Sequence, residues 1–278
     1  MSECGSCPSA SSCSADEKES CGSESLLVQN PYSKIGKIIG VMSGKGGVGK
    51  STISALLAKQ LKREGYKVGV LDADITGPSI PRLLDISEER AYGKEDGTLI
   101  PVETKQGIKV MSLNLLIKEE NEPVIWRGPM VGEVVKQFYK DVHWEELDYL
   151  VIDMPPGTGD VALTAMQSIP IDGIVMVSIP QDMVSMIVAK AVNMTKTMKI
   201  ELLGLVENMS YVMCPDCDKE IRIFEDSATD EFLKEMNLEL LAEFPMTRDL
   251  SNINKGSLSE KVDYTLKNMT DKIIDKLK

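Results

Sequence analysis

Lys37-Ile38-Ile39-Gly40-Val41-Met42-Ser43-Gly44-Lys45-Gly46-Gly47-Val48-Gly49-Lys50-Ser51-Thr52 passes from an apolar run, through a glycine-rich turn, into a segment of helical period. The run Lys37–Met42 has the continuous apolar character of a strand buried on both faces. From Gly44 to Ser51 the turn reads G-x-x-x-x-G-K-[ST], in the strand–loop–helix setting that this motif requires. Glycines let such a loop wrap closely, so that backbone N–H groups converge on phosphate oxygens at a helix N-terminus. Gly44, Lys45, Gly46, Gly47, Val48, Gly49, Lys50, Ser51 and Thr52 are therefore the expected nucleotide-binding residues. Lys50 is expected along the terminal phosphates, and Ser51 offers its hydroxyl to Mg2+.

Short apolar runs alternate with helical segments along the rest of the chain, the mark of parallel α/β construction. Strands are predicted at Lys37–Met42, Val68–Leu71, Tyr149–Ile152, Gly173–Ile179 and Leu202–Val206. One or two more are predicted between Ile108 and Ile125, and another near Leu240–Phe244. Helices are predicted at Lys50–Glu64, Met130–Tyr139, Val161–Gln167, Met183–Thr197 and Ala228–Met236, with Gly65 placed to end the first in a left-handed cap. The expected fold is a mostly parallel sheet with helices on both faces. Residues 1–30, rich in Ser, Cys, Glu and Gly, are expected to be a flexible extension, and residues 31–278 one domain.

Two apolar runs end in carboxylates, at the sheet edge where open α/β folds bind ligands. Tyr149-Leu150-Val151-Ile152-Asp153 supplies a Mg2+-shell carboxylate, followed by Met154-Pro155-Pro156-Gly157-Thr158-Gly159, whose Gly157 N–H could sense a γ-phosphate. Val70-Leu71-Asp72-Ala73-Asp74 supplies two more. Asp74 is the candidate to orient or activate an attacking water, and Asp72 to help hold the Mg2+ shell. Helix capping is the plain alternative for such strand-end carboxylates.

Composition narrows the class. Of 278 residues, 42% are hydrophobic and 27% charged, which excludes wholesale disorder. The formal charge of −12 makes sequence-independent nucleic-acid binding an unfavourable reading. No apolar run approaches the roughly 18 residues of a membrane span. The acidic N-terminus lacks the regions of a signal peptide, so a cytoplasmic protein without structural disulfides is expected. His143, the single histidine, follows a predicted helix beside Trp144 and reads as packed or capping. The apolar series Leu266, Met269, Ile273, Ile274 and Leu277 reads as a terminal helix packed on its own domain, with membrane attachment as the competing reading.

K-G-G-V-G-K-S-T, with Lys45 just after the first glycine, resembles the deviant phosphate loop of the SIMIBI class of P-loop ATPases. The class includes nitrogenase iron protein, the Min and Par partition ATPases and the Mrp/ApbC iron–sulfur carriers. Four blocks are most similar to the Mrp/ApbC branch: Leu71–Pro81, Trp126–Met130, Asp153–Asp160, and Glu207-Asn208-Met209-Ser210 followed by Cys214-Pro215-Asp216-Cys217. The resemblance implies an ATP-binding homodimer in which Lys45 reaches the partner's phosphates, and an Asn208 that hydrogen-bonds adenine. It further implies an ATPase that carries a [4Fe–4S] cluster and passes it to apo iron–sulfur proteins, with no membrane or nucleic-acid partner. A Min/Par-like spatial regulator and an electron donor similar to nitrogenase iron protein are the alternatives within the class.

The cysteines divide four and two. Cys214 and Cys217 are half of a tetrahedral thiolate shell, which a two-fold dimer would complete. By the resemblance they bridge a cluster; a shared zinc, a redox dithiol, or two unligated thiols stay open at this point. Cys4, Cys7, Cys13 and Cys21 are enough ligands for a second cluster within one chain. The first three match a C-x2-C-x5-C motif of eukaryotic cytosolic scaffold relatives, whose fourth cysteine lies upstream rather than downstream as Cys21 does.

Overall fold

The structure is a computed structural model and describes residues 26–75, 77, 79–117, 128–182, 186–214, 216–217, 219–223, 227–251, 253–254 and 258–278. Cys4, Cys7, Cys13, Cys21, Trp126 and Arg127 lie outside the described residues, as do positions 183–185 of the predicted helix Met183–Thr197.

In chain order the elements are β1 (Ser33–Ser43), α1 (Lys50–Arg63), β2 (Val68–Asp72), α2 (Ile80–Leu83), β3 (Tyr92–Gly93), β4 (Leu99–Ile100), β5 (Val102–Glu103), β6 (Lys109–Met111) and α3 (Gly128–Lys140). They continue with β7 (Glu145–Asp153), α4 (Asp160–Ser168), β8 (Gly173–Ser178), α5 (Met186–Thr197), β9 (Glu201–Glu207), β10 (Val212–Met213), β11 (Glu220–Ile221), α6 (Ser227–Met236), β12 (Leu240–Glu243), α7 (Arg248–Ser251) and α8 (Glu260–Leu277). The main sheet has the order β12-β9-β8-β1-β7-β2-β6-β5, parallel except for the short edge strand β5. β1 is central, with Ile39 paired to Val151 on one side and to Gly173 on the other. Its C-terminal end therefore opens into the middle of the sheet edge, flanked by the ends of β7 and β8.

Alternation along β1 explains the two layers. Ile39 and Val41 join one core with Leu57 and Leu61 of α1 and Leu266 and Ile273 of α8. Ile38 and Met42 join the other with Phe138 of α3, Ala165 of α4 and Ala191 of α5. A strand covered on both faces needs apolar residues at successive positions, which is why β2 and β8 are buried throughout. The predicted stop of α1 holds: Gly65 has φ 97° and its N–H donates to Lys62 O.

Residues near the expected extension boundary are pinned to the domain. Leu27 N–H donates to Ser168 O, Gln29 Nε2 to the Tyr139 hydroxyl, and Asn30 Nδ2 to the Lys140 and Val142 carbonyls. His143 is buried, its ring 4.3 Å from that of Tyr32 and its Nδ1 3.3 Å from Lys94 Nζ. The apolar face of α8 is buried, including Leu266, Met269, Ile273, Ile274 and Leu277. Among the described residues, no helix is long and apolar enough to cross a membrane.

Candidate nucleotide site and cysteine hairpin

β1 delivers the chain into the glycine loop, and α1 starts at Lys50. Gly49 holds φ 86°, in the left-handed region, and a Cβ there would collide with the Asn208 amide. Asn208 follows β9. Its Nδ2 donates to the Val48 carbonyl at 2.9 Å and its backbone N–H to the Ser178 carbonyl at 2.8 Å. The β9 end thus grips the loop from the side, and Oδ1 of the same amide is the acceptor that a base amine could meet.

Lys50 is buried. Its Nζ lies 2.9 Å from Asp153 and 3.5 Å from Asp74. Ser51 Oγ donates to Asp153 Oδ2 at 2.6 Å, and Ser54 Oγ to Oδ1 at 2.7 Å. Ser54 was not signalled by the loop motif, although it stands one helical turn beyond Ser51 and so shares its face. Asp72 pairs with Asp153 across β2 and β7 but is engaged elsewhere, accepting from Ser112 Oγ at 3.0 Å and from the Asp74 N–H at 3.2 Å. Burial, reinforced by the neighbouring Asp153 charge, raises the Asp72 carboxyl well above its ordinary range. Lys50, Ser51, Asp74 and Asp153 therefore converge, and Asp72 backs them from a fully enclosed position.

The loop borders a cavity of about 310 Å³ that Gly46, Gly47, Lys50, Thr52, Asp74 and Met209 help line. A Cβ at Gly46 or Gly47 would meet nothing within 4 Å, so the loop is open here, and Lys50 shares the cavity lining with these glycines. Its chemistry fits a polyphosphate with a divalent cation at Ser51. Lys45, in the same loop, is exposed. The Gly157 N–H, expected as a γ-phosphate sensor, donates to the Ser43 carbonyl at 2.8 Å. That bond would have to open before the amide could meet a phosphate.

Cys214 and Cys217 lie in the turn between β10 and β11, which pair antiparallel with Val212 opposite Ile221. The turn is closed by the Cys214 N–H donating to the Lys219 carbonyl at 2.9 Å. Both thiols are free of disulfides, Cys214 half-buried and Cys217 exposed. Among the described residues, no group of three or more His, Cys, Asp or Glu side chains is arranged to hold a metal ion. The hairpin stands only a few residues after Asn208, so the thiols and the phosphate loop are served by one stretch of chain.

Residues 34–278 match the family model described as ParA, NUBPL iron-transfer P-loop NTPase. The Iron-sulfur cluster carrier protein of Clostridium perfringens is 48% identical over 277 residues, covering 96% of each chain. The Iron-sulfur cluster transfer protein NUBPL of Dictyostelium discoideum is 43% identical over 213 residues, covering 76% of this chain and 65% of that one. A nucleotide-binding protein of Archaeoglobus fulgidus, solved in complex with ADP, has a TM-score of 0.69 at 40% identity and covers 84% of this chain and 88% of that one. The cell division ATPase MinD of Pyrococcus furiosus has a TM-score of 0.61 at 21% identity, covering 87% of this chain and all of that one, a likeness of fold alone. With the phosphate loop, the strand-end carboxylates and the cysteine hairpin arranged as described, the chain belongs to the ParA family of NUBPL-type iron-transfer P-loop NTPases.

Proposed function

We propose that this protein is an ATP-binding carrier that holds a [4Fe–4S] cluster between the Cys214/Cys217 hairpins of two chains and delivers it to apo iron–sulfur proteins. The observation that carries this reading is the joining of the two sites. Asn208 grips the phosphate loop at Val48, and the chain then runs directly into a hairpin that carries two cysteines outside any disulfide. The names of the curated relatives support it. The cluster is cargo: two thiolates per chain are half of its shell, and a two-fold axis brings the second pair.

At the nucleotide site, the loop amides and Lys50 bind the phosphates, and the Ser51 hydroxyl would hold a Mg2+ ion, which would supply countercharge to them. Asp153 orients Ser51, and Ser54 orients Asp153, so hydroxyl and carboxylate are set before the nucleotide arrives. Asp74 stands beside Lys50, where it can accept a proton from a water aligned on the terminal phosphate. Asp72 fixes the Asp74 backbone by accepting its N–H. Lys45 of each chain would reach the phosphates of the other, completing a slow ATPase in the dimer. Loss of the terminal phosphate then loosens the loops after Asp74 and Asp153 and changes dimer geometry. Cys4, Cys7, Cys13 and Cys21 offer a second, intrachain ligand set.

The test is transfer. Cluster-loaded protein should activate an apo [4Fe–4S] acceptor, followed by acceptor activity, and Cys214→Ala or Cys217→Ala should abolish delivery. Delivery at the wild-type rate from either variant contradicts the proposal, and zinc in place of iron after anaerobic loading contradicts the cargo.

A further inference from the structure

Only positions 209–213 separate Asn208, which holds the phosphate loop, from Cys214. Met209 has φ 56°, a left-handed conformation that a non-glycine residue holds only under constraint from its surroundings. It lines the phosphate-side cavity and also a cavity of about 420 Å³ beneath the hairpin, shared with Tyr211, Val212 and Ile223. The next residue is tied inward. Ser210 Oγ donates to Glu243 Oε1 at 3.0 Å and meets the Glu207 carboxyl.

Arg222 closes this circuit from the other end of the hairpin. It directly follows β11, on the strand leaving the cysteine turn. Its two terminal nitrogens donate to the two Glu243 oxygens at 2.7 and 3.2 Å. Its guanidinium also lies 5.6 Å from the Tyr211 ring centre, and the Lys261 ammonium lies 4.8 Å from that centre. A two-pronged guanidinium–carboxylate pair fixes orientation as well as distance. The segment entering the hairpin, through Ser210, and the segment leaving it, through Arg222, therefore meet on the Glu243 carboxylate.

We propose that Arg222 is a positioning residue through which nucleotide at the phosphate loop sets the exposure of Cys214 and Cys217. Nucleotide that engages Asn208 and crowds Met209 shifts Ser210, and the Glu243–Arg222 clamp converts that shift into a reorientation of the thiol turn. Discrete polar links of this kind change partners rather than stretch, which suits a two-position device. The inference rests on the carrier reading and supplies its regulation.

The experiment measures alkylation of Cys214 and Cys217 by iodoacetamide in the full-length, cluster-free, reduced chain, with each site resolved by peptide mass spectrometry. It is run without nucleotide, with Mg-ADP and with a non-hydrolysable ATP analogue. Wild type should show a nucleotide-dependent rate change of at least about fivefold at one of the two thiols, the lower end of ordinary site-to-site coupling. Arg222→Ala should remove that dependence while calorimetric ADP affinity is unchanged, and Arg222→Lys should restore it only in part. Glu243→Gln, which keeps the side-chain shape, should lose the dependence likewise and serves if Arg222→Ala does not fold. An unchanged nucleotide response in the clamp variants, or no response in wild type, overturns the proposal. Failure of the carrier reading would appear instead as iron retained without Cys214 and Cys217, which this cluster-free assay does not touch.

Discussion

Lys50 and Lys45 lie five residues apart in one loop, yet their surroundings differ completely. Lys50 is 6% exposed and is the countercharge of a fully buried Asp153. Removing one partner of a buried ion pair leaves the other uncompensated and costs about 3–5 kcal/mol. Lys50→Ala should therefore lower the free energy of unfolding in urea by about that amount and abolish ADP binding by calorimetry. Lys45 is exposed. Lys45→Ala should leave ADP affinity near wild type and lower kcat by about a hundredfold, the usual loss for a donor acting only in the transition state. Equal loss of binding in the two variants would remove the role of Lys45 across the dimer. Gly49 makes a third case. Gly49→Ala forces an L residue into the left-handed region and against the Asn208 amide, so it should destabilise by at least about 1–2 kcal/mol in the same assay.

At the scale of elements, α8 and the cysteine hairpin are held by different forces. α8 packs its apolar face on α1 and β12, with Leu266 and Ile273 buried. Leu266→Ala should cost about 2–5 kcal/mol, read from the urea midpoint at unchanged m-value. The hairpin, with two residues in each strand, is held instead by ion pairs, Arg222 on Glu243 and Lys261 of α8 on Glu220. The Arg222 hydrogen bonds hold the Glu243 carboxyl below its ordinary value of 4.5. A carboxylate depressed in the folded state contributes stability above its unfolded value and loses it as the pH falls through the folded value. The stability gap between wild type and Arg222→Ala should thus be full at pH 7 and shrink as the pH falls through and below 4.5. A gap that widened on acidification would contradict that assignment. The same contrast explains what could be read in advance. The interiors of β2, β8 and β9 announce themselves as apolar runs, because burial on both faces leaves polar residues only at their ends, such as Asp72 and Glu207. The β3–β4 hairpin and edge strand β5 escaped notice because two-residue strands carry no period.

At the scale of the whole molecule, residues joined by local sequence were legible and residues joined only by folding were not. The loop from Gly44 to Thr52, the strand-end carboxylates Asp72, Asp74 and Asp153, and the cysteine pair each declare themselves within a few positions. Ser112 behind Asp72, and Glu243 opposite Arg222, come from separate segments with no shared pattern, so only folding brings these pairs together. The central claim also exceeds one chain, since two thiols per protomer are half of a ligand shell. The direct measurement is anaerobic reconstitution with iron and sulfide of a full-length chain in which Cys4, Cys7, Cys13 and Cys21 are replaced by Ser, followed by Mössbauer spectroscopy and sedimentation. The account predicts one [4Fe–4S] cluster per two chains, lost together with the iron on adding Cys214→Ala or Cys217→Ala. A full complement of iron in those variants, or a cluster held by a single chain, would contradict it.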